Sequence, residues 1–360
     1  MSIIDVSGGI MKRVMANKKR KEYLELYAKY KFNDYDNKDI QRLLLEMQPK
    51  KLYKYRRCNK NTYNSIKKDY AWFQVPKKFD DTRDSIININ FNKEVKTLTD
   101  NKLENVEKLE NDLLRYMVQK RNIDISDENI LIIKNMLKQD EKIDINKLKS
   151  IFGSKYSEDE YEEAQESFNS GLFKEIMECV EAEAQSLATK NNSSQEENYC
   201  FCMAETDDND LLWSMYGDEF RGICIEYSIP YLIDGFVSLY RDNMAPVFYG
   251  TKKQLKVIDI FKDIFDDELY EMNNIELIVQ QFIKNKKWQN QDEWRISIPN
   301  DGINEKYFPY ISKIILGERI EEKNKNRIIN ICQRKSIPVF QRTLDFSKTN
   351  VILKKIKLKK

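Results

Sequence analysis

The stretch 199–227, YCFCMAETDDNDLLWSMYGDEFRGICIEY, decides the fold class. Its opening run 199–204 (YCFCMA) and its closing run 222–227 (GICIEY) are apolar and of strand length. Between them a polar loop leads into 211–216 (LLWSMY), a short helix or turn. Working outward, further strands are predicted at 51–57 (KLYKYRR), 70–75 (YAWFQV, closed by Pro76), 245–249, 293–298 (EWRISI), 311–316 (ISKIIL, stopped by Gly317) and 337–340. Helices are predicted over 10–48 as a pair, with Pro49 as the stop. Thr251 and Gln254 suggest a capping box that opens helices over 252–287, and a last helix covers 320–335. Strands this far apart, joined by helices without a regular βαβ alternation, predict an α+β class: a mixed sheet with flanking helices.

Residues 100–190 have a different character, being almost free of Pro and of strand signals. Leu109, Leu113 and Met117 repeat at helical spacing. Short helices are predicted over 129–137 and 145–152, with Gly153 as a stop. Ser157 with Glu160 forms a capping box that opens an acidic helix to about 189. The stretch reads as a large helical insertion whose helices at 100–120 and 158–189 pack together. The expected organisation is N-terminal helices over 1–50, an α+β domain over 51–340 carrying the insertion, and a basic C-terminal tail over 341–360.

Composition narrows the chemistry. The 360 residues have a formal net charge of +2, so no global field argues for nucleic acid. No apolar run is long enough to span a membrane, and no secretory leader is visible. The cysteines Cys58, Cys179, Cys200, Cys202, Cys224 and Cys332 are scattered without a CxxC pair, as expected of thiols in a reducing, cytoplasmic compartment. Histidine is absent altogether. That removes Ser-His-Asp and Cys-His catalysis and imidazole-ligated zinc, leaving carboxylates, Arg, Lys, Tyr, Ser, Cys or a cofactor. GxGxxG and GxxxxGK are also missing, which argues against Rossmann and P-loop phosphate sites.

Four clusters concentrate the chemistry-bearing residues. They are Lys54-Tyr55-Arg56; 79–84 (FDDTRD); Trp213-Ser214-x-Tyr216 with Arg221-Gly222-x-Cys224; and Lys287-Trp288 with Gln291-x-Glu293-Trp294-Arg295. Their order and spacing resemble the bacterial domain-of-unknown-function 2971 family, across most of 50–317 outside the insertion. Its pattern runs KYR, FNDPFD, C-F-S followed by WSxYxxxxRGxC, then WxxExEWR and a strand ending in G. Asp80, Thr82, Met203-Ala204 and Gln291 depart from that pattern.

The layout also looks like the Arg–Ser–Glu arrangement of ADP-ribosyltransferases. That resemblance implies cleavage of the nicotinamide–ribose bond of NAD and transfer of ADP-ribose to a macromolecular acceptor, protein or nucleic acid, as in a toxin or phage-defence effector. Arg56 would hold the pyrophosphate, Ser214 the nicotinamide ribose, and Tyr216 would stack on nicotinamide, with Tyr55 and Arg221 as further cofactor-binding candidates. Glu293 would stabilise the ribose cation and Gln291 would orient the acceptor. On this reading Glu293→Gln removes activity and keeps the fold. A Mg²⁺-dependent nuclease using Asp80, Asp81, Asp84 and Glu293 is a second reading, and a non-enzymatic protein- or nucleic-acid-binding module is a third. The plainer alternatives are that Trp213, Trp288 and Trp294 are core aromatics and that Glu293 and Arg295, on one strand face, simply pair.

Overall fold

The computed structural model describes residues 3–81, 83–85, 89–90, 111–112, 114–115, 119, 125–139, 142–153, 155–169, 196–252, 255–256, 267–345 and 350–357. The chain divides into two units. The first comprises 1–87, 194–252 and 275–360, and the second 88–193 and 253–274.

The first unit is built on an eight-stranded mixed sheet. Its strands are β1 (Leu52–Arg56), β2 (Asn198–Ala204), β3 (Ile223–Tyr227), β4 (Met244–Pro246), β5 (Glu293–Pro299), β6 (Ile311–Leu316), β7 (Val339–Asp345) and β8 (Asn350–Lys355). They lie in the order β8-β7-β6-β3-β1-β2-β5-β4. Only β6 and β7 run parallel, and the chain between them includes a helix, as a parallel crossover requires. The α+β class is therefore as predicted.

Alternation along each strand separates two faces. One carries Leu52, Phe201, Met203, Ile225, Trp294, Ile296 and Ile314. It is covered by helices α1 (Ile3–Phe32), α2 (Lys38–Met47) and α3 (Lys60–Lys68), through residues such as Tyr23, Leu24, Tyr27, Leu44 and Ile66. Tyr23, Tyr27 and Tyr30 recur at helical spacing, so α1 presents an aromatic stripe to the sheet. The N-terminal helices thus belong to the core of the first unit and are not a segment apart. Trp213 and Trp294 are 0% and 5% exposed, the core positions of the plainer reading, and Phe201 is 1% exposed.

The basic C-terminal stretch is a strand, not a tail. β8 pairs with β7 from Phe340↔Lys355 to Asp345↔Asn350. Lysines suit this place because β8 is an outer strand, where charge blunts edge-to-edge pairing. The predicted helices over 252–287 are also corrected. Leu255–Lys256 is strand, Asp267–Gln280 is helix, and Ile283–Lys284 is strand paired with Phe248–Tyr249. Gln254 lies outside the described residues.

In the second unit, helices Asp127–Lys138, Ile145–Phe152 and Glu158–Asn169 surround Leu114, Ile130, Ile133, Leu148, Phe152, Tyr161 and Phe168. The capping box forms: Ser157 N donates to Glu160 Oε2 at 2.7 Å, and Glu160 N donates to Ser157 Oγ at 3.3 Å. Leu114 shares a core with Tyr161 and Phe168. Leu109, Leu113, Met117 and the expected helix beyond Asn169 lie outside the described residues. This unit is not purely helical, since Ile89–Asn90 pairs in parallel with Leu255–Lys256.

Candidate functional site

The sheet opens between β1 and β2. Their ladder is joined at one recorded pair, Tyr53↔Ala204, whereas β1 pairs with β3 over five positions and β2 with β5 over seven. Farther along, Gln74 takes the vacated place and exchanges both backbone hydrogen bonds with Cys200 at 3.0 Å. A cleft of ≈ 390 Å³ occupies the opening. Lys54 and Arg56 project from one face of the sheet, Cys202 and Glu293 from the other, and all four line the cleft.

All four sequence clusters contribute to its walls, through Lys54 and Arg56, through Phe79 to Asp81, through Tyr216, and through Trp288, Gln291 and Glu293. Arg56, Tyr216, Gln291 and Glu293 are therefore brought together, although up to 237 positions separate them.

Three expected members do not take the places foreseen for them. Ser214 is exposed and does not line the cleft. Arg221 pairs with Glu219 at 3.0 Å and Asp218 at 3.6 Å, also off the cleft. Tyr55 is part of a wall, but its ring meets Trp213 edge-on at 5.3 Å and its hydroxyl donates to Thr206 O at 2.8 Å. It is packing. The cause is the turn after Tyr216, where Asp218, Glu219 and Phe220 all have left-handed φ (53°, 51° and 67°). That turn stacks Phe220 on Trp213 and directs Arg221 to its own neighbouring acids. Gly222 closes it: a Cβ there would stand 2.2 Å from Arg56 O and 2.8 Å from Gly217 O. The WSxY and RG pieces thus form a scaffold that places Tyr216 and backs Arg56.

Behind the cleft lies a buried cluster of four charges. Glu293 Oε1 accepts from Arg295 Nε at 2.7 Å, and Glu293 Oε2 from Lys284 Nζ at 2.9 Å. Asp84 Oδ2 accepts from the Arg295 guanidinium at 2.7 Å and lies 3.2 Å from Lys284 Nζ. Burial alone pushes both carboxyls up, but Arg295 and Lys284 more than offset it and hold each below its ordinary range. Burial likewise pulls Lys284 down, while Glu293 and Asp84 reverse that and raise it. Glu293 is thus a permanent anion at neutral pH, suited to electrostatic work and not to proton transfer. Gln291 is occupied as well, accepting from Lys284 at 2.9 Å and donating to Tyr216 Oη at 3.3 Å.

The Mg²⁺ set is not assembled. Asp84 and Glu293 face cations, Asp81 accepts from Trp288 Nε1 at 2.6 Å, and among the described residues no group of acids and cysteines is gathered for a metal ion. Trp288 lines the cleft, so the core reading of that residue is not met.

Sequence reasoning gave no role to Lys54, Lys284, Cys200 or Cys202, which also line the cleft. Burial pushes the Cys200 thiol up to about 11 and raises Cys202 as well, so neither is a thiolate at neutral pH. Lys54 Nζ donates to Cys202 O at 2.5 Å, and burial brings its ammonium down to about 8, assisted by Arg56 and Lys284 and opposed by Cys202 and Glu293. Among the described residues neither Lys54 nor Arg56 is ion-paired. The signal for Lys54 was its place two residues before Arg56, on the same strand face. Lys284 had none, because only strand pairing brings it to Glu293.

Residues 212–296 match the family model described as a protein of unknown function (DUF2971). The match holds the WSxY, RGxC and EWR pieces, while Lys54 to Arg56 and Phe79 to Asp84 precede it. No curated protein and no solved structure matches the chain, and none of the comparisons names an ADP-ribosyltransferase. No helix among the described residues is long and apolar enough to cross a membrane.

Proposed function

We propose that the cleft binds a nucleotide through its phosphates and that this nucleotide is NAD, whose ADP-ribose is transferred to a macromolecular acceptor. One observation carries the reading: Lys54 and Arg56, two cations without ion-pair partners among the described residues, line a cleft whose other wall holds Tyr216, Trp288 and the ionised Glu293. Unpaired guanidinium and ammonium groups attract phosphate, and a guanidinium binds it with two parallel hydrogen bonds. Aromatic rings beside them suit a base or nicotinamide ring. A fixed carboxylate favours the positive charge that develops as a ribosyl bond breaks.

The assignment of roles differs from the sequence reading. Ser214 takes no part. Gln291 connects Tyr216 to Lys284 and is not free to orient an acceptor. Arg56 is the phosphate ligand, Tyr216 the stacking ring, and Glu293 a fixed charge moderated by Lys284 and Arg295.

Calorimetric titration with NAD, together with an assay of nicotinamide release, tests this. Wild type is expected to bind, and Arg56→Ala to bind more weakly by about 1.5–3 kcal/mol, roughly ten- to a hundredfold. Wild-type protein that neither binds NAD nor releases nicotinamide, with protein and nucleic-acid acceptors supplied, sinks the reading.

A further inference from the structure

We infer that Lys54 is an amine nucleophile that captures the C1 carbonyl of a phosphorylated aldose as an imine, an assignment that rests on reading the cleft as a phosphate site. Lys54 and Arg56 project from β1 on the same face, two residues apart. Two residues of extended strand advance about 6–7 Å. That spacing suits a five-carbon sugar with its carbonyl end at the amine and its phosphate at the guanidinium. ADP-ribose, the fragment left when nicotinamide departs from NAD, carries the same elements once its terminal ribose opens.

The surroundings of the amine support the role. Its recorded hydrogen bond is to a neutral acceptor, Cys202 O, and no carboxylate pairs with it among the described residues. The Phe201 ring lies 5.0 Å from Nζ. Burial disfavours a proton there, with Arg56 on its own strand and Lys284 across the cleft adding repulsion, while Cys202 and the Glu293 carboxylate oppose them. The ammonium therefore releases its proton near pH 8. Lys284 is unsuited to the task because Glu293 and Asp84 keep it charged.

The step balances without a co-reactant. The neutral amine adds to C1 and forms a C–N bond, and the carbonyl oxygen leaves as water. Counted from the ammonium, two of its three protons depart in that water and one remains on the iminium nitrogen. The positive charge is conserved, and Glu293 is the nearby carboxylate that favours it.

The experiment incubates the intact protein with ribose 5-phosphate, ADP-ribose or plain ribose in the presence of cyanoborohydride, which reduces an imine to a stable amine. Intact mass and peptide mapping then locate the label. The expected result is one saturable adduct on Lys54 with both phosphorylated sugars, at least tenfold less with ribose, and at least tenfold less in Arg56→Ala. Lys54→Arg, with its fold checked by circular dichroism, is expected to lose the adduct. Mapping of the wild type decides the matter even if that variant fails to fold. Label spread over surface lysines, or ribose reacting as well as ribose 5-phosphate, overturns the inference. Nicotinamide release with Lys54 unlabelled overturns it while leaving the NAD reading intact. A Lys54 adduct in protein that does not bind NAD does the reverse.

Discussion

Arg20, on α1, donates from its guanidinium to the backbone carbonyl of Glu293 at 2.8 Å, across 273 positions of sequence. The same guanidinium reaches Val247 O at 3.1 Å and pairs with Glu205, whose carboxylate also accepts from Trp294 Nε1 at 2.6 Å. Glu293 N in turn donates to Tyr249 Oη at 2.8 Å. The backbone that presents Glu293 to the cleft is therefore clamped on both sides by groups far from it in the chain.

Arg20→Met keeps the apolar stem and removes these donors. Among the described residues it leaves the Glu293 carbonyl with Val247 N alone, at 2.9 Å, and deprives Val247 O and the Glu205 carboxylate of the guanidinium. The expected loss is about 2–3 kcal/mol, read by urea unfolding of the full chain. Affinity for NAD should fall with it, since Glu293 loses its anchor. Unchanged stability would show that water replaces Arg20 at no cost.

Glu293→Gln, expected from the sequence to keep the fold and remove activity, falls in a buried charge cluster. Among the described residues it leaves Lys284 and Arg295 with Asp84 as their one remaining carboxylate, a net buried positive charge. About 3–5 kcal/mol should be lost, and the double variant Glu293→Gln/Lys284→Met should regain much of it. The acid response follows from the same cluster. Glu293 and Asp84 are held below their ordinary values of 4.5 and 3.8. Their contribution is complete above those values and is lost as pH falls toward the lower folded ones. Denaturant melts between pH 5 and pH 2 (about this range) should show a shallower fall for the double variant than for wild type.

Gly222→Ala places a methyl 2.2 Å from Arg56 O. The backbone of β1 or of the turn must move, at a cost of about 1–3 kcal/mol. NAD affinity should fall more than stability alone explains, because the carbonyl displaced belongs to the phosphate ligand. Paired thermal melts and calorimetry separate the two effects.

Lys54→Met should stabilise the folded protein at neutral pH by about 1–2 kcal/mol, since it removes a partly buried cation that has no carboxylate partner among the described residues. The folded ammonium titrates near 8 and the unfolded one near 10.5. Between those values the unfolded chain binds the extra proton, so the contribution of Lys54 to stability rises with pH there. The gain from the variant should therefore shrink as pH rises from 8 to 10.5. A constant difference would mean that Lys54 stays charged in the folded state.

Much of the architecture was legible locally. YCFCMA, GICIEY, EWRISI and ISKIIL are apolar runs that pair wherever they meet, so sheet and class followed from pattern alone. The Ser157–Glu160 box and the helix Ile145–Phe152 with its Gly153 stop were visible because capping chemistry is contained within a few residues. The clusters holding Arg56, Tyr216 and Glu293 stood out by residue type, and they do share a cleft. The lysine-bearing last strand was misjudged because an outer strand tolerates the composition of a solvated tail.

What the sequence alone determined is the central strands of the sheet, their faces, and a chemistry without imidazole. Tertiary structure alone decided which charges remain available. Glu293 and Arg295 lie on one strand face in any register, but only the pairing of Ile283–Lys284 with Phe248–Tyr249 helps bring Lys284 beside them. The exclusion of Ser214 from the cleft comes from the turn through Asp218, Glu219 and Phe220, and the exposure of Lys54 and Arg56 to it from the opened ladder between β1 and β2. Charge pairing depends on a few ångströms between segments hundreds of residues apart, and residue spacing along a chain carries no record of such distances.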